Sequence, residues 1–313
     1  MEKYGFGVDI GGTTIKMSLF EMTGHMLEKW EIPTNTADNG SSILDDVAAA
    51  IEAKLTEKSI AKTDVAGVGI GVPGPVVDDT VVVRCVNLGW GKVDVAKELG
   101  AKTGLKVKVG NDANVAALGE MWQGGGKGCK NVVMVTLGTG VGGGIIVNGK
   151  IITGSHGAGG EIGHIFADET ETETCGCGKR GCLEQYGSAT GAQRLAKRAL
   201  ETDARPSSLR LRGAQLSAKD VFDAAKAGDE VALDVVEKMG KILGTGLANV
   251  ACVVDPEVFV IGGGVSKAGP IITDVIQKYY MERTFSSCRE AKFALASLGN
   301  DAGVYGCVYM LLN

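Results

Sequence analysis

Twice in this chain a strand runs into a glycine-rich turn, returns as a second strand, turns again and leaves as a third. The first copy reads as strands at 5–9, 13–20 and 26–32 around Gly11-Gly12. The second reads as strands at 132–137, 142–147 and 150–153 around Gly138-Thr139-Gly140. Short apolar runs bounded by glycine carry the strand signal. Asn148-Gly149 is the residue pair that a two-residue type I′ hairpin needs. A chain that repeats a unit of this kind is read as an internal duplication, with a ligand held between the copies. At 313 residues there is room for two domains of ordinary size.

The stretches around the copies read as α/β. Helical periodicity runs over 41–57, with Ile43, Leu44, Val47, Ile51 and Leu55 on one face, and again over 93–103 and 112–123. Strands are expected at 65–71 and 106–110. Val72-Pro73-Gly74-Pro75 can continue neither a strand nor a helix. After the second copy come helices at 188–202, 217–227 and 230–253, a strand at 258–261, a helix at 270–281, a strand at 293–298 and a last helix at 301–311. Gly124-Gly125-Gly126-Lys127-Gly128 is the hinge candidate between the halves.

Composition narrows the function classes. The chain holds 48 glycines, about twice the usual ~7%, clustered at strand ends where turns and close ligand approach need them. The net charge is −5, so there is no basic footprint for nucleic acid. Phosphates would have to be bound locally, by backbone N–H groups and a metal ion. No export signal and no apolar run of ~18 residues is found, which argues for a cytoplasmic protein and against a membrane span. Cys85, Cys129, Cys252, Cys288 and Cys307, scattered among apolar neighbours, read as buried reduced thiols.

The other three cysteines, Cys175, Cys177 and Cys182, lie close together with glycines between them, and His164 stands upstream. A Cys₃His set can close a tetrahedral shell around Zn²⁺; free thiols and disulfides are the alternatives. Closing that shell would bring Glu161 and Glu184 beside an imidazole with one nitrogen free, an arrangement suited to a polyhydroxylated ligand. The 167–174 stretch before the cysteines, with four acidic residues, reads as a solvated loop. His25 and His156 have no partners at ligand spacing.

Three further motifs carry chemistry. In Asp9-Ile10-Gly11-Gly12-Thr13-Thr14-Ile15-Lys16, the turn can aim several N–H groups at phosphate oxygens. Asp9 can hold Mg²⁺ directly or through water. Lys16 is equally a phosphate contact or a solvated lysine. Gly138, Thr139 and Gly140 form the matching turn of the second copy. Gly262-Gly263-Gly264 either forms a wall for a nucleotide base or ribose or is simply a tight strand–helix connection. Asn111-Asp112 stands where a strand gives way to a helix, so Asp112 is either a helix cap or a general base. Asn87 can present its amide to a sugar hydroxyl, and Trp90 reads as core or wall.

Taken together, Asp9-X-Gly11-Gly12-Thr13, Asn111-Asp112-Ala113-Asn114, Gly138-Thr139-Gly140-Val141-Gly142-Gly143-Gly144, Glu161-Ile162-Gly163-His164 and Cys175-Gly176-Cys177…Cys182-Leu183-Glu184 resemble the ROK family of sugar kinases and repressors. Their order and spacing are most similar to its bacterial glucokinases. Asn87-Leu88-Gly89-Trp90 and Leu298-Gly299-Asn300-Asp301-Ala302-Gly303 strengthen the match. The resemblance implies an actin-like ATPase (ribonuclease H-like) α/β fold, with two domains, 1–123 plus 300–313 and 124–299, flanking a cleft. It implies ATP with Mg²⁺ as donor and glucose O6 as acceptor, with N-acetylmannosamine, N-acetylglucosamine or fructose as alternative acceptors. Asp112 is then the catalytic base. Gly74, Asn87, Asn111, Glu161, His164 and Glu184 hold the sugar. Asp9, Gly11, Gly12, Thr13, Thr14, Lys16, Gly138, Thr139, Gly140 and Gly262–Gly264 surround the nucleotide. His164, Cys175, Cys177 and Cys182 bind structural zinc. A homodimer is expected. A repressor would need a DNA-binding segment ahead of the first strand, which starts by about Tyr4, so that class is not expected.

Overall fold

The computed structural model describes residues 2–312. The first repeat folds as β1 (Tyr4–Ile10), β2 (Thr14–Glu21) and β3 (Met26–Pro33), paired antiparallel in that order. A single turn, α1 (Ala37–Gly40), leads into α2 (Ile43–Lys58), which buries Ile43, Leu44, Val47, Ile51 and Leu55 along one stripe. β4 (Val65–Val72) lies parallel to β1 and ends at Pro73-Gly74-Pro75, where the ladder cannot continue. A small meander follows: β5 (Val76–Val77), β6 (Val81–Val82) and β7 (Val93–Asp94). It was not foreseen from the sequence. Because Val93 and Asp94 pair with β6, the helix expected from 93 begins later, as α3 (Val95–Thr103). Asp94 caps it, its carboxylate accepting the Lys97 N–H at 3.0 Å. β8 (Val107–Asn111) completes a sheet of order β3-β2-β1-β4-β8, and α4 (Asp112–Gln123) leaves from its end.

The second repeat builds the same object again. β9 (Val132–Leu137), β10 (Val141–Val147) and β11 (Lys150–Ile151) are antiparallel, with Asn148 and Gly149 at φ 53° and 75° in the hairpin turn. Beyond them come α5 (Glu184–Gly187), α6 (Ala189–Thr202), α7 (Ala218–Lys226) and α8 (Glu230–Val254). β12 (Val258–Gly262), α9 (Pro270–Arg283) and β13 (Lys292–Leu295) follow, and α10 (Ala302–Met310) closes the chain's circuit. The sheet order is β11-β10-β9-β12-β13, with β9, β12 and β13 parallel. Strand for strand this matches the first sheet, as the duplication in the sequence requires.

Helices α4 and α10 lie between the two halves. Val115, Ala117, Leu118 and Met121 of α4 share one buried cluster with Cys307 and Met310 of α10 and with Val132, Met134, Ile146, Val258 and Val260 of the second sheet. Each fully buried Val or Leu there contributes roughly 1.5–3 kcal/mol. On its other side α10 lies directly on the first sheet. A Cβ at Gly7 or Gly69 would overlap the carbonyl oxygens of Val304 or Cys307, and one at Gly306 the carbonyl of Val115. Cys85, Cys288 and Cys307 are buried as expected, but Cys252 is exposed. It falls outside the apolar stripe on the last turn of α8, next to the exposed Val253. Among the described residues no helix is long and apolar enough to cross a membrane.

Candidate functional site

Strand register places the first acid. Asp9 is the cross-strand partner of Lys16, so the lysine ammonium lies 3.8 Å from its carboxylate and also donates to the Asn300 carbonyl at 3.2 Å. Asp9, Gly11, Gly12, Lys16, Asn87 and Asp112 line one cleft of about 420 Å³. Pro73, Ala116, Gly299, Asn300, Ala302 and Gly303 complete it, and no role was read from those positions in the sequence. A Cβ on Gly303 would come within 2.9 Å of the Asp9 carboxylate, so glycine lets α10 start against the acid. Thr13 and Thr14 flank this turn, and Gly11 N–H donates to the Thr14 carbonyl at 3.0 Å. Burial raises the pKa of Asp9 above its ordinary 3.8; the Lys16 charge pulls it down, and the Asp112 charge pushes it up.

Asp112 is the first residue of α4. Asn111, extended at φ −65° and ψ 146°, is the N-cap, and its side-chain oxygen accepts the N–H groups of Ala113 and Asn114 at 3.0 and 3.3 Å. Its amide nitrogen donates to the Gly74 carbonyl at 3.1 Å. Asp112 Oδ1 accepts from Ala113 N–H at 2.8 Å. Burial raises the pKa of Asp112; the bonds to Ala113 and Asn111 offset part of that.

β10 brings the second group of residues alongside. Ideal Cβ positions at Gly144 meet Ala117 and the Ala113 carbonyl of α4, while those at Gly143 meet the Gly160 carbonyl and Ile162. The loop carrying Glu161 and His164 therefore packs on the strand that also supports the start of α4. Gly157 of that loop approaches Pro75 and Val76, beside Gly74. His164 Nε2 is 4.0 Å from a Glu161 carboxylate oxygen. Glu184 Oε2 accepts the Val141 N–H at 3.0 Å, and its Oε1 lies 3.6 Å from Cys175 Sγ.

His164, Cys175, Cys177 and Cys182 present one ligand atom each, all within 4.8 Å of one another. Cys175 Sγ is 3.8 Å from His164 Nδ1, and Cys177 Sγ is 3.5 Å from Cys182 Sγ. Tetrahedral ligation at the usual ~2.3 Å Zn–S distance puts sulfurs roughly 3.8 Å apart, so the spacing and chemistry of the donor set are close to what a zinc ion needs. Burial and the neighbouring thiols push Cys182 up to about 12, so a divalent cation must displace protons to bind. Most of the preceding 167–174 stretch is exposed, as its acidity suggests, but Glu171 is not. The Glu171 side chain is wholly buried, paired with Arg194 at 2.9 Å and Arg198 at 2.8 Å. Burial alone would raise its pKa, but Arg198, the Glu173 N–H, Tyr186 and Arg194 hold it down at about 2. The loop is thereby bolted to α6.

The remaining glycine turns line other cavities. Thr139 and Gly140 border a space of about 390 Å³ with Glu184, Cys175, Ser188 and Arg194; Gly138 accepts from the Ala189 N–H at 2.8 Å. Gly264 borders an apolar cavity of about 420 Å³ with Ala189, Phe222, Lys226, Val265 and Ala268. Gly262 and Gly263 lie behind it against Met134 and Leu137. Trp90 is buried and donates to the Gly40 carbonyl at 3.1 Å, a wall rather than a platform.

Comparison with known proteins places this geometry. The ROK family model matches residues 5–313. A glucokinase of Halalkalibacterium halodurans is 45% identical over 310 residues, covering 97% of this chain and 94% of that one. An N-acetyl-D-glucosamine kinase of Aliivibrio salmonicida is 31% identical, covering 97% and 98%. Among solved structures, a Streptomyces griseus ROK glucokinase in complex with glucose and AMPPNP superposes with a TM-score of 0.72 at 34% identity, covering 98% of each chain.

Proposed function

The chain belongs to the ROK family, and we propose that it is a glucokinase: it transfers the γ-phosphoryl group of ATP to O6 of glucose, giving glucose 6-phosphate. One observation carries the site assignment. The start of α4, through Ala113 and Asn114, packs against Gly144 of β10, and the loop that carries Glu161 and His164 packs against the adjacent Gly143. Asn111, Gly74, Asn87, Glu161, His164 and Glu184 hold the sugar hydroxyls, and Asp112 receives the proton of the 6-hydroxyl. Phosphoryl transfer passes through a loose transition state, so placing the alcohol matters more than the strength of the base. The raised pKa of Asp112 serves proton acceptance all the same.

Asp9, Gly11, Gly12, Thr13 and Thr14 approach the phosphates from the first repeat, and Gly138, Thr139 and Gly140 from the second. The base of ATP occupies the apolar cavity at Gly264, between Phe222 and Val265. Lys16 serves chiefly to hold Asp9. Asp9 would hold Mg²⁺, which would supply charge neutralisation at the phosphates. His164, Cys175, Cys177 and Cys182 would hold zinc; with His164 Nδ1 beside Cys175 Sγ and Nε2 near Glu161, such an ion would fix the imidazole tautomer. Residues 1–123 with 300–313, and 124–299, act as two domains that close on the ligands and exclude water.

The test is a panel of hexoses with ATP, read as kcat/KM in a coupled assay. Glucose is expected to lead. The 31% similarity to an N-acetyl-D-glucosamine kinase makes that sugar the sharpest rival, and its winning would overturn the substrate.

A further inference from the structure

Glu120 is a carboxylate with no exposed surface, near the C-terminal end of α4. Among the described residues its carboxylate bonds to backbone N–H groups. Oε2 accepts the N–H groups of Gly125 and Ser297 at 2.8 and 3.1 Å, and Oε1 accepts that of Leu298 at 2.9 Å. Its own carbonyl takes the N–H of Gly126 at 2.9 Å. These partners come from the two places where the described chain passes between the sheets, from α4 to β9 and from β13 to α10. The first crossing is packed tightly: a Cβ on Gly124 would overlap the Glu120 carboxylate, and one on Gly125 the Leu295 carbonyl. Just past Leu298, Gly299, Asn300, Ala302 and Gly303 line the cleft that holds Asp9 and Asp112.

A helix is stiff, and Asp112 begins the one that Glu120 nearly ends, about 12 Å further along its axis. Whatever orients the C-terminal turn of α4 relative to both crossings therefore orients Asp112 relative to the 299–303 wall. We propose that Glu120 is a positioning residue for the phosphotransfer described above: its carboxylate pins both crossings to α4, so that the halves turn about it and closure delivers Asp112 and the 299–303 wall together. This rests on the glucokinase reading. An anion suits the task because both of its oxygens accept and neither donates. Glutamine has the same shape but sets an NH₂ against at least one of the three N–H groups.

The experiment uses Glu120→Gln and Gly124→Ala; the second crowds the carboxylate without removing it. Steady-state kinetics with glucose and ATP are combined with small-angle X-ray scattering, with and without glucose plus AMPPNP. Wild-type protein is expected to contract on binding both ligands. In each variant the contraction should be lost, with KM for glucose raised and kcat lowered at least tenfold per folded molecule. A role confined to stability predicts a lower Tm with KM, kcat and contraction unchanged, and that result would overturn the assignment. If Glu120→Gln does not fold, Gly124→Ala decides alone. If wild-type protein phosphorylates no hexose, the glucokinase reading falls, while contraction on AMPPNP alone still judges Glu120.

Discussion

Asn111 caps α4 and thereby relieves Asp112 of that work. The asparagine oxygen takes the N–H groups of Ala113 and Asn114, while the neighbouring aspartate shares that of Ala113 through Oδ1. The capping role of the Asn-Asp pair thus falls to Asn111, and the general-base role proposed for Asp112 is open to test. Asp112→Asn should therefore leave the helix start intact and glucose binding near normal, while kcat falls by at least ~10². Near-normal turnover, measured by coupled assay, would remove Asp112 from the role of base.

The same substitution should stabilise the fold. Below pH 3.8 the Asp112 carboxyl is protonated in folded and unfolded chains alike and contributes no difference. Between 3.8 and the higher native value the unfolded chain gives up its proton first, so stability falls across that window and levels off above it. At neutral pH Asp112→Asn removes that cost, so calorimetry should show a higher Tm. An unchanged or lower Tm would mean that burial does not govern this carboxyl.

Raised pKa values at Asp9 and Asp112 also set the acid side of the pH–rate profile. The limb of kcat/KM should have its midpoint above the 3.8 of an ordinary aspartate, because burial favours the protonated form of both. A midpoint at or below 3.8, in wild-type protein with glucose held well below its KM, would contradict the raised values.

The Cys₃His cluster predicts one zinc per chain by elemental analysis of purified protein. Cys177→Ser should release it, since three donors remain of four. Loss of the metal frees the His164 ring, so KM for glucose should rise roughly 10-fold or more. Zinc-free protein that keeps full sugar affinity would break the link between knot and sugar.

Glu171→Gln removes a carboxylate whose partners, Arg194 and Arg198, are built around it. Denaturant unfolding at neutral pH should show a loss of roughly 3 kcal/mol. The wild-type contribution is complete above pH 4.5 and fades as pH falls toward about 2, where the native carboxylate finally protonates. If the variant and wild type lose stability in parallel through that window, Glu171 is not the group responsible.

What could be read from the chain was local. The duplicated strand–turn–strand units, the NG hairpin and the cysteine spacing each announce themselves within a few dozen residues. Glu171 was misread because acidity within its own loop says nothing of arginines on α6. Glu120 was invisible for a similar reason: Ser297 and Leu298 lie 177 and 178 residues away, and a glutamate on an amphipathic helix gives no sign of which N–H groups it will meet. The cleft wall at 299–303 carried a signal, a glycine-rich turn ahead of a helix, but only the register of β1 against α10 shows that it faces Asp9.

The seating of α10 on Gly7 and Gly69 bears on how the molecule is made. Phe20 of β2 packs with Val304 and Val308, so the amino-terminal sheet keeps an uncovered apolar patch until the ribosome has delivered residues 302–310. During synthesis the second sheet can form first, and the opening third of the polypeptide waits for its lid. Contacts this distant in sequence slow folding, and a ribosome stalled before Ala302 would present a half-built, sticky protein to the cell's chaperones.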